Sequence, residues 1–532
     1  MARIQRNFVS AFDIELDRRL RPRRQLTMRV GVRDAGDDVN GRFSVKPYPT
    51  EAMMPNGIQD RFGMTLSTSS VAAAECLVEG IDRLLSQNHG PELKFQEAIE
   101  LDESFAMAHG CLAFWYQQRA RPDDAKETIV QALALAHRVT RRERQQIEAV
   151  GHWVNERGRD SITLIKEHLS EFPRDGLLLR LAHRLYMLGC SGAGSPNFPP
   201  EYLALLQSIE SRCMDDWAFL AEYAFAHHET GQLEKAMELA QRSLDMNPTN
   251  AVASHSMTHV HFEQGDATSG EDFLSTWLRG FDAPASSYVH LSWHLALFEL
   301  ALGKYQETLD RYEKYIRPSV VAKSMAALND SASLMWRLQI YGGTPPPKPW
   351  DEVLPLATPA ADRPGAAFRD AHAALAFAGS GDHEAMSKMT SRLRKAATGG
   401  DSFAREVVLP LVQGIEAFAQ ENYAESVRLM EPVFPQLVRV GGSHAQREVF
   451  EDTILEAYIR AEQFEKAATM LQNRLQQRES VRDTFWLGRV QSGQGQNALA
   501  QSSFGRAAKG WESADPDTPE LTALNSRLAE PN

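Results

Sequence analysis

Apolar residues along this chain recur at helical spacing and seldom alternate with a period of two. Stretches rich in Ala, Leu, Glu, Gln and Arg, each long enough for a helix, dominate. One block, Leu220 to Pro248, sets the grammar: Leu220, Tyr223, Ala224, Gly231, Ala236, Ala240 and Pro248. Small side chains at Ala224 and Ala236 let two helices approach closely, Gly231 supplies the turn between them, and Pro248 stops the second. The same pattern returns with Gly265, and with Gly303 closed by Pro318. It returns again over 421–433 and 462–474, and through Leu487, Gly488, Ala500, Phe504 and Ala507. Weaker copies occupy 121–135 and 162–175. Helical pairs at a repeat of ~34 residues bury their apolar faces on one another. The expected fold is all-α, a right-handed superhelix of antiparallel helix pairs.

Some stretches break the pattern. Residues 1–60 lack periodicity and carry Pro47, Pro49 and Pro55, which reads as a loosely attached arm. Residues 189–200 form a loop that a repeat does not need. The Pro-rich run 342–366 reads as a linker between a first helical block, 61–341, and a second, 367–513, and the tail 514–532 is expected to fray. Thr140 with Glu143, and Ser443 with Gln446 after Gly441 and Gly442, have the spacing of capping boxes. The arginines between Thr140 and Glu143 are expected at the surface.

The helix–turn–helix unit resembles the tetratricopeptide repeat. Over roughly residues 60–460 the wording also resembles the tetratricopeptide repeat protein 38 family. The matching motifs, in order, are T-R-R-E at 140–143, N-P-T at 247–249, and His255, His259 and His261 as H-x3-H-x-H. His290, Trp293 and His294 follow as H-x2-W-H, then D-S-x-S at 330–333, R-L-Q at 337–339, D-A-H at 370–372, A-R-E at 404–406 and GGSHAQREVF at 441–450. His444 departs from the family pattern, which has an asparagine there. The resemblance implies a repeat solenoid and little about chemistry.

Charge and composition narrow the function. With 57 Lys+Arg against 70 Asp+Glu the net charge is −13, which argues against a nucleic-acid surface. No apolar run approaches the ~20 residues of a membrane helix. The Arg-rich start is not followed by an apolar core, so a cytoplasmic protein is expected. Four scattered cysteines without a C-x-x-C fit a reducing compartment. Walker A, G-x-G-x-x-G, G-x-S-x-G and H-E-x-x-H motifs are all absent from the sequence.

Histidine is the residue that remains. His255 and His259 are four apart, as are His290 and His294, so each pair shares a helical face. With repeats starting near Trp217, Ala251 and Val289, His228 falls at position 12, His255 at 5, His259 at 9 and His290 at 2. The tetratricopeptide resemblance implies that positions 2, 5, 9, 12 and 13 line the concave groove; His261 and His294 fall at its flanks. Such imidazoles serve as hydrogen-bonded structural groups, as acid–base groups on a small molecule, or as metal ligands, and the spacing leaves all three open. Glu263 and Asp266 are the nearest carboxylates in sequence. Asp330, His372, Arg405 and Arg447 interrupt apolar helix patterns and are candidates to bind a ligand. Two classes of function follow: a groove for a peptide, partner protein or small ligand, or an enzyme acting through His255, His259, His290 and His294. The cofactor, the metal and the oligomeric state are left unspecified.

Overall fold

The computed structural model describes residues 57–324, 327–343 and 349–528, and helices are the regular elements among them, with one isolated antiparallel bridge between Gln59 and Thr65. They form the expected all-α superhelix of antiparallel pairs. Trp217–Glu229 pairs with Leu233–Met246, Ala251–Gln264 with Ala267–Arg279, and Val481–Gly493 with Asn497–Gly510. The turn glycines do what the sequence requires: Gly231, Gly265 and Gly303 have φ of 77°, 72° and 76°, a region that side chains disfavour. Close approach fixes other positions. A Cβ on Gly270 would lie 2.4 Å from the ring of Phe298 on the next pair. Among the described residues, no helix is long and apolar enough to cross a membrane.

Three sequence expectations need correction. The stretch 342–366 contains a helix, Pro349–Asp362, with Pro355 and Pro359 inside it. The hydrogen bonds those prolines forgo are offset by burial of Val353, Leu356, Ala357, Ala360 and Ala361. Trp336, upstream of that stretch, joins the same core as Phe418, and its indole N–H donates to Thr453 Oγ1 at 2.9 Å. The tail does not fray over Pro519–Leu528. There Leu524 is fully buried, and Glu520 accepts from Tyr305 OH at 2.8 Å and pairs with Arg482. Finally, Arg142 is buried between Asp60, 2.7 Å away, and Asp175, 3.1 Å away. Asp60 belongs to the stretch 1–60 expected as a loosely attached arm, of which residues 1–56 lie outside the described residues.

One feature of the course positions the site. The later helices return onto the ends of the earlier inner ones. Gly442 N–H donates to Met187 O at 2.8 Å, Arg478 Nη1 to Phe262 O at 3.3 Å, Trp511 Nε1 to Ala301 O at 2.9 Å, and Asp515 N–H to Gly303 O at 3.1 Å. A Cβ on Gly265 would sit 2.2 Å from Glu479 O, so this turn also accommodates the returning chain.

Candidate functional site

Successive inner helices contribute the cluster: Gly176–Met187, Trp217–Glu229, Ala251–Gln264, Ser286–Ala301 and Ala327–Ile340. Four-residue spacing turns His255 and His259 to one face, and His290 and His294 to the facing one. Their ring nitrogens converge. His255 Nε2 lies 3.0 Å from His294 Nε2, 3.0 Å from His259 Nε2 and 3.1 Å from His290 Nε2. Ligand atoms of His255, His290 and His294 all fall within 4.8 Å of one another. His290 Nδ1 donates to Asp330 at 3.0 and 3.1 Å to its two oxygens, which orients the ring with Nε2 toward the centre. The His290 ring stacks on Trp293 at 5.4 Å and 12°, which holds its plane.

Burial and mutual repulsion set the charge. Desolvation, followed by the neighbouring imidazoles, holds His255 and His259 well below the ordinary histidine range. Burial and then His290 and Arg337 do the same to His294. These rings are neutral at pH 7, with lone pairs available. The arrangement is frustrated as a hydrogen-bond network. A ring nitrogen offers one proton or one lone pair, so His255 Nε2 satisfies one neighbour and not three.

A second set adjoins this one. His228 Nδ1 bonds to Phe225 O at 3.1 Å, and its ring lies 4.5 Å from that of His259. Glu229 Oε1 accepts the amide of His444 at 3.1 Å, and Glu229 Oε2 is 3.6 Å from Arg447 Nη2. His444 Nδ1 donates to Glu263 at 2.9 and 3.0 Å, and its Nε2 is 3.8 Å from Glu451. Burial works against both charges here, yet the Glu263 carboxylate raises His444 to about 10 and His444 in turn lowers Glu263 to about 2. His444 therefore builds a charged link between the helix Ala251–Gln264 and the later helix His444–Arg460.

Of the residues singled out from sequence, the structure brings His228, His255, His259, His290, His294 and Asp330 together, with Arg447 alongside Glu229. His372 is buried behind them, its Nδ1 on Phe368 O at 2.8 Å, and burial pushes it down to about 4. Two are misplaced. Arg405 lies at the surface beside Glu406, at 2.9 Å, because its turn faces out. His261 sits on the opposite helical face from His259, 5.9 Å from the Phe273 ring. The nearest carboxylates by sequence also do other work: Asp266 caps the next helix through Ser269 N–H, and Glu263 holds His444. Asp330 takes that place from a helix later in the chain. Glu229 was overlooked, although it occupies position 13 of the same ruler.

On the helix that carries His228, Glu222 gathers Arg180 at 2.8 Å, His183 at 2.5 Å and Tyr202 OH at 2.8 Å. Arg184, one turn beyond Arg180, has no ion pair among the described residues, and its Nε is buried without a partner. Burial, then repulsion from Arg180 and Arg119, lowers it to about 10. The His183 ring, 4.7 Å from Phe225, which is itself 6.0 Å from His255, links this cationic region to the histidines.

No protein-family model matches the chain. Among solved structures it is similar to the Cut9–Hcn1 hetero-tetramer of the APC/C, at 12% identity over 89% of this chain and 79% of that one, with a TM-score of 0.44. It is also similar to the human IFIT1 dimer with m7Gppp-AAAA, at 12% identity over 86% and 98%, TM-score 0.33. A tetratricopeptide repeat protein from Parabacteroides merdae matches at 14% identity over 59% of this chain and 99% of that one, TM-score 0.26. No site residue is carried over from any of them.

Proposed function

We propose that this helical-repeat protein is a metalloprotein, holding a divalent transition-metal ion on His255, His290 and His294 and bringing a small anionic molecule to it. The observation that carries the reading is the meeting of Nε2 atoms 3.0–3.1 Å apart around His255. Metal–nitrogen arms of about 2.0–2.1 Å place their ligand atoms about 2.9–3.4 Å apart, from right-angled to tetrahedral geometry. A shared cation satisfies at once the Nε2 atoms of His255, His290 and His294, which hydrogen bonds among themselves cannot. Asp330 behind His290 is the outer-shell carboxylate that orients a ligating imidazole. Three imidazoles suit zinc, iron, copper or nickel, and leave a further coordination position for water or a substrate oxygen.

Metal ligation is favoured over metal-free acid–base work because imidazoles held well below the usual range take up a proton poorly at pH 7. An enclosed site for a small molecule is favoured over an open peptide groove by the returning helices, whose His444 and Arg447 reach the His228 and His255 helices. Arg184 supports an anionic ligand, since this half-buried guanidinium has no ion pair among the described residues and its Nε is buried without a partner. The motifs that carry the resemblance to the tetratricopeptide repeat protein 38 family include these same histidines and Asp330, so we assign the chain to that family on them.

The test is cobalt titration of chelator-treated protein, followed by visible absorption. Wild type develops the intense bands of a low-symmetry site, and His255→Ala and His290→Ala each weaken binding at least ~100-fold. A wild-type protein that develops no such bands, or variants that bind cobalt as wild type does, refute the reading.

A further inference from the structure

His259 faces two ways. Its Nε2 is 3.0 Å from His255 Nε2, while its Nδ1 is buried with no hydrogen-bond partner. Two more buried atoms beside it share that condition: His228 Nε2 and Glu229 Oε2. These three residues each offer a ligand atom within 4.8 Å of those of the other two. The side chains of His228 and Glu229 are 1% and 3% exposed, and His259 is fully buried, so bulk water does not satisfy them.

The tautomer of His228 sharpens the conflict. Its Nδ1 meets the Phe225 carbonyl, which is an acceptor, so the Nδ1 carries the proton and Nε2 presents a lone pair. That lone pair points at a carboxylate, with His228 Nε2 only 3.6 Å from Glu229 Oε1. Two acceptors at that range repel unless something positive lies between them. Arg447 meets the carboxylate as an ion pair, Nη2 to Glu229 Oε2 at 3.6 Å, while its Nη1 is engaged by Gly442 O, and this leaves His228 Nε2 without a donor. Unsatisfied buried acceptors of this kind are rare in folded proteins, and a cluster of them calls for a ligand.

We infer that His228, Glu229 and His259 form a second cation site, of two imidazoles and one carboxylate, separated from the His255–His290–His294 site by the His259 ring. The donor set, two nitrogens and one oxygen, matches the His2Glu sites that zinc occupies in hydrolytic enzymes. The inference extends the metal reading of the neighbouring triad, and it points to a paired-metal centre.

Metal stoichiometry tests it. Full-length protein is stripped with chelator, reloaded with zinc, desalted and analysed by mass spectrometry, with circular dichroism to confirm folding. Wild type retains about two zinc ions per chain. His228→Gln and Glu229→Gln each retain about one, and so does His290→Ala, which keeps the second site while disabling the first. Glu229→Gln also loosens Arg447, so His228→Gln is the decisive variant if the former fails to fold. One zinc in wild type, lost in His290→Ala and kept in His228→Gln, overturns the second site and leaves the first. Two zinc ions in wild type that persist in His228→Gln overturn this inference as well. No zinc in wild type overturns both.

Discussion

Replacing His444 by asparagine removes the imidazolium that joins the returning helices to the histidine-bearing ones, with little change in size. His444 stands 2.9 and 3.0 Å from the two oxygens of Glu263, and the variant leaves that carboxylate without its main counter-charge. A hydrogen bond to a charged group contributes ~1.5–3 kcal/mol. Because 32% of the His444 side chain is exposed, screening brings this to the order of 1–2 kcal/mol. That corresponds to about 5–30-fold in local opening. The pH dependence follows from the two shifts. His444 is raised from 6.5 to about 10, so its contribution is complete below 6.5 and is lost as pH climbs toward 10. Glu263 is lowered from 4.5 to about 2, so its contribution is complete above 4.5 and is lost as pH falls through 2. The link is therefore at full strength between pH 4.5 and 6.5. Hydrogen exchange by mass spectrometry, corrected for intrinsic rates, reads it in segments 258–266 and 441–448. At about pH 6 His444→Asn exchanges about 5–30-fold faster than wild type there, and by about pH 8 the difference shrinks. Equal protection at the lower pH, or a difference that widens at the higher one, refutes the reasoning.

Other outcomes follow from the same contacts. Asp330→Asn keeps the fold but loosens the orientation of His290, so metal affinity measured by calorimetry falls about 10–100-fold. Gly265→Ala combines a left-handed backbone with a Cβ 2.2 Å from Glu479 O, so it costs about 1–3 kcal/mol and raises exchange around residue 479 more than around 231. Leu524→Ala deletes a fully buried side chain at about 2–5 kcal/mol, and limited proteolysis then releases the helix Pro519–Leu528 before the rest unfolds. Arg184→Met removes a half-buried charge whose Nε has no partner, so the ligand-free protein melts at a higher temperature than wild type, and added phosphate erases the gain.

The helix pairs were legible because each rests on local chemistry: a glycine able to turn left-handed, small residues where helices touch, and a capping Thr140 that accepts from Glu143 N–H as its spacing implies. The histidine face was legible for the same reason, since a spacing of four fixes direction whatever lies elsewhere. Contacts made at long range were not. Asp330 reaches His290 across 40 residues, and His444 reaches Glu263 across 181, separations that no local pattern encodes. Prolines misled the reading of 342–366 because their local penalty was visible while the apolar burial that offsets it was not. Arg405 and Arg447 look alike in sequence; only packing sends the first to solvent and the second to Glu229.

The central claim concerns where a metal sits, and a crystal structure of zinc-loaded protein with anomalous diffraction at the zinc edge addresses it directly. The account predicts an anomalous peak bounded by the Nε2 atoms of His255, His290 and His294, each about 2.0–2.1 Å away, with Asp330 still on His290 Nδ1. A peak elsewhere, or none at this site in crystals grown with zinc, contradicts it.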